Sequence, residues 1–216
     1  MTVPALRKYV ILFGKIVKLE DFMEKEGRWL SDDIQNDESN IPESCVAIYY
    51  KLDIENKTIK ERLFMTTFNA KYIKAFKEIS VNWIEEYFVI EEKDLQQLNK
   101  PEETIIENGG EIFSLINKEG VVVGVSSMII ESDGTVELGK MGVKKAYQGK
   151  GYAHPLIYEA ISWAKRSDKK FPYVKLCTSS KLIPAINLYK KYGFENMPIK
   201  GPREFARGDV MMKLKL

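Results

Sequence analysis

Residues 137–153 read ELGKMGVKKAYQGKGYA, and the fold depends on this stretch. A strand-like run leads into a turn with Gly149 and Gly151, and residues 156–164 then show the apolar spacing of a helix. Free N–H groups at a helix N-terminus carry partial positive charge and bind phosphate. The two glycines leave the main chain open to a ligand, and Lys150 adds a mobile positive charge. The stretch therefore predicts a site for a nucleotide-like cofactor.

Two motifs resemble the GNAT family of N-acetyltransferases. The order Gln148-x-x-Gly151-x-Ala153 is similar to the acetyl-coenzyme A turn of that family, Gln/Arg-x-x-Gly-x-Gly/Ala. Residues 185–194, AINLYKKYGF, are similar to its closing helix, Ala-x-x-Leu-Tyr-x-x-x-Gly-Phe, and Gly193 suits the C-cap of that helix. Two motifs in this order are more specific than either motif alone.

The composition narrows the class of protein. The chain has 216 residues, 44% hydrophobic and 30% charged, with a net charge of +2, so neither nucleic acid nor a membrane surface is an expected partner. The apolar runs at 9–14 and 121–125 are too short to span a bilayer, and the first is too short for a signal peptide. We therefore expect a cytoplasmic protein. Cys45 and Cys177 lie far apart in the chain, and the chain contains one histidine. No disulfide framework or metal site is therefore predicted.

The order of predicted elements divides the chain at about residue 64. Residues 1–64 read as an accessory α+β segment packed on the rest: a strand at 9–17, a helix at 18–30, a loop at 31–42, and two strands at 45–52 and 58–68.

Residues 65–216 read as a mixed α/β domain, and their order resembles the GNAT acyl-CoA N-acyltransferase fold. Two helices come first, and Pro101 marks the loop after them. We expect Phe76 and Trp83 in the core. For Tyr87 and Phe88, both a place in the core and a place on the wall of a pocket remain open. The later elements are strands at 111–117, 121–130, 135–143, 173–178 and 210–216, with helices after the glycine turn and at 182–192.

The resemblance implies that acetyl-coenzyme A lies where the strand before the glycine turn separates from the next parallel strand. Leu182 stands where the family often has an asparagine, and either Ser180 or Lys181 is expected to take over its contact with pantetheine. The cofactor-binding residues implied are Met141, Gly142, Val143, Gln148, Gly149, Lys150, Gly151, Tyr152, Ala153, Ser180 and Ala185.

The same resemblance implies the catalytic groups. The N–H of Gly142 or Val143 is the expected donor to the oxyanion, and Tyr189 the general acid, which its ordinary pKa keeps protonated. Glu137 stands where some GNAT members carry a general base, and burial would raise its pKa toward a useful value. The alternative, in which Glu137 is a structural carboxylate and a chain of waters acts as the base, remains open. His154 is expected to meet solvent or a cofactor phosphate, with Pro155 in the first helical turn.

The predicted function is transfer of an acetyl group from acetyl-coenzyme A to a primary amine by direct attack on the thioester. The acceptor is a small-molecule or peptide amine, and the resemblance allows a homodimer. The alternative is a catalytically silent acyl-coenzyme A sensor. A nucleotide-binding oxidoreductase is disfavoured, because no third glycine follows Gly151 in the helix.

Overall fold

A computed structural model describes residues 6–12, 14–25, 40–199, 201, 203 and 205–216. Within these residues ten strands form one mixed sheet. The strands are β1 (Arg7–Leu12), β2 (Lys15–Lys18), β3 (Cys45–Asp53), β4 (Thr58–Thr66), β5 (Glu111–Asn117), β6 (Val122–Ile130), β7 (Val136–Val143), β8 (Tyr173–Thr178), β9 (Glu195–Met197) and β10 (Val210–Lys215). Their order across the sheet is β2-β1-β3-β4-β5-β6-β7-β8-β10-β9.

Helices cover both faces of this sheet. They are α1 (Leu19–Lys25), α2 (Ile73–Tyr87), α3 (Glu92–Asn99), α4 (Ala153–Arg166) and α5 (Ile183–Lys191). One apolar core lies under α4 and includes Leu156 and Ala160, and a second lies under α2 and includes Phe76 and Ile79. The strands between them are buried on both sides, as the apolar run of β6 predicts. This arrangement confirms the predicted mixed α/β class.

The N-terminal segment differs from its prediction in one strand. Residues 9–17, predicted as one strand, form the antiparallel strands β1 and β2, which pair from Tyr9↔Lys18 to Leu12↔Lys15. Gly14 lies in the turn with φ +68°, a conformation that glycine adopts without a steric penalty, so the chain reverses there. The predicted helix at 18–30 is seen as α1, and its end and residues 31–39 of the predicted loop lie outside the described residues.

The strands of the N-terminal segment continue the main sheet and do not form a separate layer. β3 pairs in parallel with β1 and antiparallel with β4, and β4 pairs with β5. The predicted boundary at residue 64 falls inside β4, and the division into two units stays a prediction. A five-residue π-helix, Glu102–Ile106, follows Pro101 where a loop was predicted. No helix among the described residues combines the length and apolarity needed to cross a bilayer.

Candidate functional site

The site lies where two parallel strands separate. β7 pairs with β8 at Val136↔Val174 and Glu137↔Lys175, and beyond these positions the described residues of the two strands do not pair. The strands therefore leave a gap at the carboxyl end of β7. Such a gap exposes backbone N–H and C=O groups that a ligand can bind.

A β-bulge shapes the β7 side of this gap. The register of β6 against β7 shifts between Val125 and Ser127, and Lys140 on β7 has φ +46°. After the bulge, the N–H of Lys144 donates to the carbonyl of Val123 on β6 at 2.9 Å. Because backbone groups alternate in direction along a strand, the N–H of Val143 points away from β6 and into the gap. The geometry thus favours Val143 over Gly142 as a donor to a ligand.

The predicted glycine turn joins β7 to α4. Gly149 and Gly151 have φ +73° and +82°, and a Cβ built on Gly149 would meet no atom within 4 Å. The side chain of Gln148 donates to the carbonyl of Val143 at 3.1 Å, which ties the turn to the end of β7. Among the residues that the structure describes, no side chain caps the N-terminus of α4. The turn is therefore open and electropositive, and it fits a phosphate group.

The gap and the turn open into one cavity of about 450 Å³. Most of the predicted site residues line it: Glu137, Met141, Gly142, Val143, Gln148, Gly149, Gly151, Tyr152, Ala153, Ala185 and Tyr189. Their positions and chemistry fit an acyl-coenzyme A, with phosphates at the turn and a thioester in the gap. Among the described residues, no group of three or more His, Cys, Asp or Glu side chains could hold a metal ion.

Two predicted cofactor residues do not line the cavity. Lys150 places its ammonium 5.0 Å from the centroid of the Tyr147 ring. Ser180 bonds Asp209 instead. The N–H of Ser180 donates to the Asp209 carboxylate at 2.7 Å, and the hydroxyl of Ser180 donates to it at 2.5 Å. Ser180 therefore belongs to the link between β8 and β10 in this structure, whereas its neighbour Lys181 lines the cavity.

Glu137 is a buried carboxyl group on the wall of the cavity. Its exposed fraction is 5%, and its Oε2 has no hydrogen-bond partner in the described part of the chain. Burial raises the pKa of Glu137 to about 7, with a further upward contribution from Glu131, while Lys140, Lys175 and Lys93 act in the opposite direction. A carboxyl group with this pKa exchanges protons readily at neutral pH, as a general base must.

Tyr189 lines the cavity from the side of α5. Its ring lies 5.9 Å from that of Phe194, and burial raises the pKa of its hydroxyl to about 12. The hydroxyl is therefore protonated at neutral pH and can act as a donor. Cys177 also lines the cavity, and burial raises the pKa of its thiol to about 11, so it carries no thiolate at neutral pH.

Sequence reasoning missed an ionic cluster on the α3 side of the cavity, called here the cavity-side cluster: Asp94, Lys140, Arg207 and Glu91. The ammonium of Lys140 lies 3.0 Å from Asp94 Oδ1, and the guanidinium of Arg207 bonds both oxygens of Asp94 at 2.6 and 2.7 Å. Arg207 also bonds Glu91 at 2.9 Å. Glu91 and Asp94 lie three residues apart and form the capping box of α3, whereas Lys140 and Arg207 come from distant parts of the chain.

The charges of this cluster compensate each other. Burial alone would raise the pKa of Asp94, but hydrogen bonds from Arg207 and the charge of Lys140 lower it. Burial lowers the pKa of Lys140, Asp94 and Glu137 act to raise it, and the charge of Arg207 adds a further lowering. Both cations also lie near the ring of Phe205, at 4.9 Å for Lys140 and 4.4 Å for Arg207. The cluster therefore holds Phe205 and Arg207 against the cavity.

Aromatic side chains form other parts of the cavity wall. Trp83, expected in the core, lines the cavity and packs so closely on Gly142 that a Cβ there would lie 2.7 Å from its ring. Phe76 is buried, whereas Tyr87 and Phe88 line the cavity. Trp83 leaves no room for a side chain at Gly142. This glycine inside a strand is the signal that could have located Trp83 at the site.

His154 lines the cavity at the first turn of α4. Its Nδ1 lies 3.0 Å from the Tyr192 hydroxyl, and burial with the charge of Lys191 lowers its pKa. Pro155 lies in the first helical turn, where its missing N–H costs no bond. His154 is therefore mostly neutral at pH 7 and held by Tyr192.

Comparison with known proteins identifies the family and supports the fold. A family model described as the acetyltransferase (GNAT) family matches residues 76–194, more than half of the chain. A search of curated protein sequences finds no match.

Solved structures of acetyltransferases share the fold. A GNAT-family acetyltransferase from Staphylococcus aureus Mu50 is 21% identical, with 71% of this chain and 98% of that chain covered and a TM-score of 0.62. The Salmonella typhimurium protein yncA, solved with acetyl-CoA, is 24% identical over 71% and 93%, with a TM-score of 0.56. A Vibrio cholerae spermidine N-acetyltransferase, in complex with CoA and spermine, is 17% identical over 70% and 92%, with a TM-score of 0.51. The predicted fold is confirmed.

Proposed function

The chain belongs to the GNAT acetyltransferase family, and from this premise we propose that it moves an acetyl group from acetyl-coenzyme A to a primary amine by direct attack on the thioester. The observation that carries the proposal is Glu137, a buried carboxyl group with an unpartnered oxygen and a pKa of about 7, on the wall of the cavity that contains the gap. A site that only binds a cofactor has no need of such a group.

The residues of the chain divide the chemistry between them. When bound, acetyl-coenzyme A supplies an activated acetyl thioester. Glu137 takes the proton of the incoming ammonium, directly or through water. The N–H of Val143 donates to the oxygen that becomes negative at the acetyl carbonyl. Tyr189 gives its proton to the departing sulfur, and the turn at Gln148–Ala153 holds the phosphates.

Two of the structural relatives support the choice of substrates. One carries acetyl-CoA, and the other is a spermidine N-acetyltransferase in complex with CoA and spermine. We extend the proposal to a small-molecule or peptide amine as acceptor and to a cytoplasmic location. The homodimer allowed by the resemblance stays a prediction.

Release of free coenzyme A thiol tests the function. The full chain is incubated with acetyl-coenzyme A and a panel of primary amines that covers monoamines, polyamines, amino acids and peptides. We expect thiol release that depends on the amine, together with an acetylated product in the mass spectrum. Tight binding of acetyl-coenzyme A without release for any amine would favour the sensor, the alternative function.

Tyr189→Phe tests the general acid. The variant keeps the ring in its packing but has no proton to donate, so binding of coenzyme A should be unchanged while kcat falls about 10²–10⁴-fold. Calorimetry and single-turnover kinetics separate the two effects. An unchanged chemical rate would exclude Tyr189 from the mechanism.

Glu137→Gln tests the general base through pH. The ionised form is the active one, so the activity of the parent protein should rise as pH increases through about 7. The variant should be slow at neutral pH and recover in part at high pH, where free amine needs no base. A purely structural carboxylate predicts altered thermal stability with the pH–rate profile of the parent, and that result would leave a water chain as the base.

A further inference from the structure

The N-terminal extension, defined as β1, β2, α1, β3 and β4, reaches the glycine turn. The ammonium of Lys51 on β3 donates to the carbonyl of Lys150 at 3.0 Å, between Gly149 and Gly151. Lys51 is paired across the β3–β4 ladder with Glu61, and their charged groups lie 3.6 Å apart. Glu61 in turn accepts a hydrogen bond from the hydroxyl of Tyr152. One ion pair thus contacts the turn at two points.

We propose that the extension is part of the coenzyme A site, with Lys51 and Glu61 as positioning residues that hold the glycine turn in its phosphate-binding shape. This inference rests on the proposed function and adds to it the role of a segment outside the match to the GNAT family model at residues 76–194. It concerns the affinity for the cofactor and not the chemical step.

The turn needs restraints from outside itself. Gly149 and Gly151 have wide conformational freedom, and no atom within 4 Å would touch a side chain at Gly149. Lys51 holds the carbonyl between them, and Glu61 holds Tyr152, which is 2% exposed and precedes the first residue of α4. Ordering a flexible loop on binding costs free energy, so a turn ordered in advance binds its ligand more tightly.

Other residues of the extension hold the helix behind the turn. Arg7 on β1 bonds both oxygens of Glu159 on α4 at 2.8 and 3.1 Å, and the hydroxyl of Tyr49 on β3 lies 3.4 Å from the same carboxylate. A Cβ built on Gly14 would lie 2.9 Å from the ring of His154. The extension therefore contacts α4 at its start, its first turn and its middle.

Calorimetric titration of the full chain with coenzyme A tests the proposal. Lys51→Met should raise the Kd about tenfold, equivalent to ~1.4 kcal/mol, while kcat at saturating acetyl-coenzyme A is retained. Lys51→Arg, which can still donate to the Lys150 carbonyl, should recover most of the affinity. The matched control is Lys60→Met, an exposed lysine on β4 next to Glu61, which should bind as the parent does.

Glu61→Ala separates positioning from simple charge attraction. The change removes a negative charge near an anionic cofactor, so electrostatics alone predicts tighter binding, whereas loss of positioning predicts weaker binding. Weaker binding, with a melting temperature close to that of the parent, supports the proposal. Tighter binding by Glu61→Ala, or parental affinity of Lys51→Met, overturns it. A parent protein that does not bind coenzyme A would instead overturn the proposed function.

Discussion

Two ionic clusters lie on opposite faces of the sheet. Each has a buried carboxylate, but the cations around it are exposed to different degrees. The cavity-side cluster places Asp94, 0% exposed, under Lys140 and Arg207, whose side chains are 5% and 12% exposed. The helix-side cluster, defined as Glu159, Arg7, Arg166 and Tyr49, places a carboxylate 1% exposed under arginines that are 27% and 49% exposed. Both Lys140 and Arg207 line the cavity, and no member of the helix-side cluster does.

The difference shows how burial of the cations changes the free-energy cost of removing their anionic partner. A cation that keeps part of its hydration loses little when its partner is removed, whereas a buried cation left alone is costly. The helix-side cluster can therefore link the extension to α4 without leaving a fully buried cation when one partner is lost. In the cavity-side cluster, removal of the shared carboxylate leaves buried cations, and its Lys140 also lowers the pKa of Glu137.

The largest expected effect comes from Asp94→Asn. The change leaves Lys140 and Arg207 buried without their shared anion, so the free energy of unfolding should fall by about 3–5 kcal/mol. The pKa of Asp94 is lowered in the folded protein, so its stabilisation is present above the unfolded pKa near 3.8 and is lost as pH falls through the folded pKa. Denaturant unfolding at pH 7 measures the loss. The control is Glu92→Gln, an exposed carboxylate on the same helix, and equal stability of both variants would contradict the prediction.

A smaller effect is expected from Glu159→Gln. Its arginines are partly solvated, and the amide can still accept one hydrogen bond, so the free energy of unfolding should fall by about 1–3 kcal/mol. The KM for the amine should not change, because no residue of the cluster lines the cavity. Unfolding and steady-state kinetics on one preparation check both points. A loss as large as that of Asp94→Asn would show that exposure of the cations does not decide the cost.

The smallest effect is a change of pH profile in Lys140→Met. Lys140 lowers the pKa of Glu137, so its removal should move the midpoint of the pH–rate profile above about 7. The shift should be less than about one pH unit, because Asp94 already offsets much of the Lys140 charge. Arg166→Met, in the helix-side cluster, is the control and should leave the midpoint in place. A shift toward lower pH would contradict the direction.

Sequence reasoning reached the fold through local patterns. The glycine turn, the closing helix and the alternation of apolar residues are short-range signals, and strands such as β5 and β8 have the predicted bounds. Lys140, Asp94 and Arg207 carry no such signal, since their meeting depends on three separate elements. The bond of Ser180 to Asp209 could not be foreseen for the same reason, because Asp209 comes from a distant part of the chain.

The amino-acid sequence alone determined the family, the order of the main elements and the place of the glycine turn, because each depends on residues close together in the chain. Only the tertiary structure decided which groups surround the gap between β7 and β8. Burial gives Glu137 its pKa of about 7, and packing brings Trp83 and Phe205 to the cavity wall. The continuous sheet places Lys51 beside Lys150, 99 positions away in the chain. Desolvation and contacts between distant residues arise from the folded arrangement, and no local pattern encodes them.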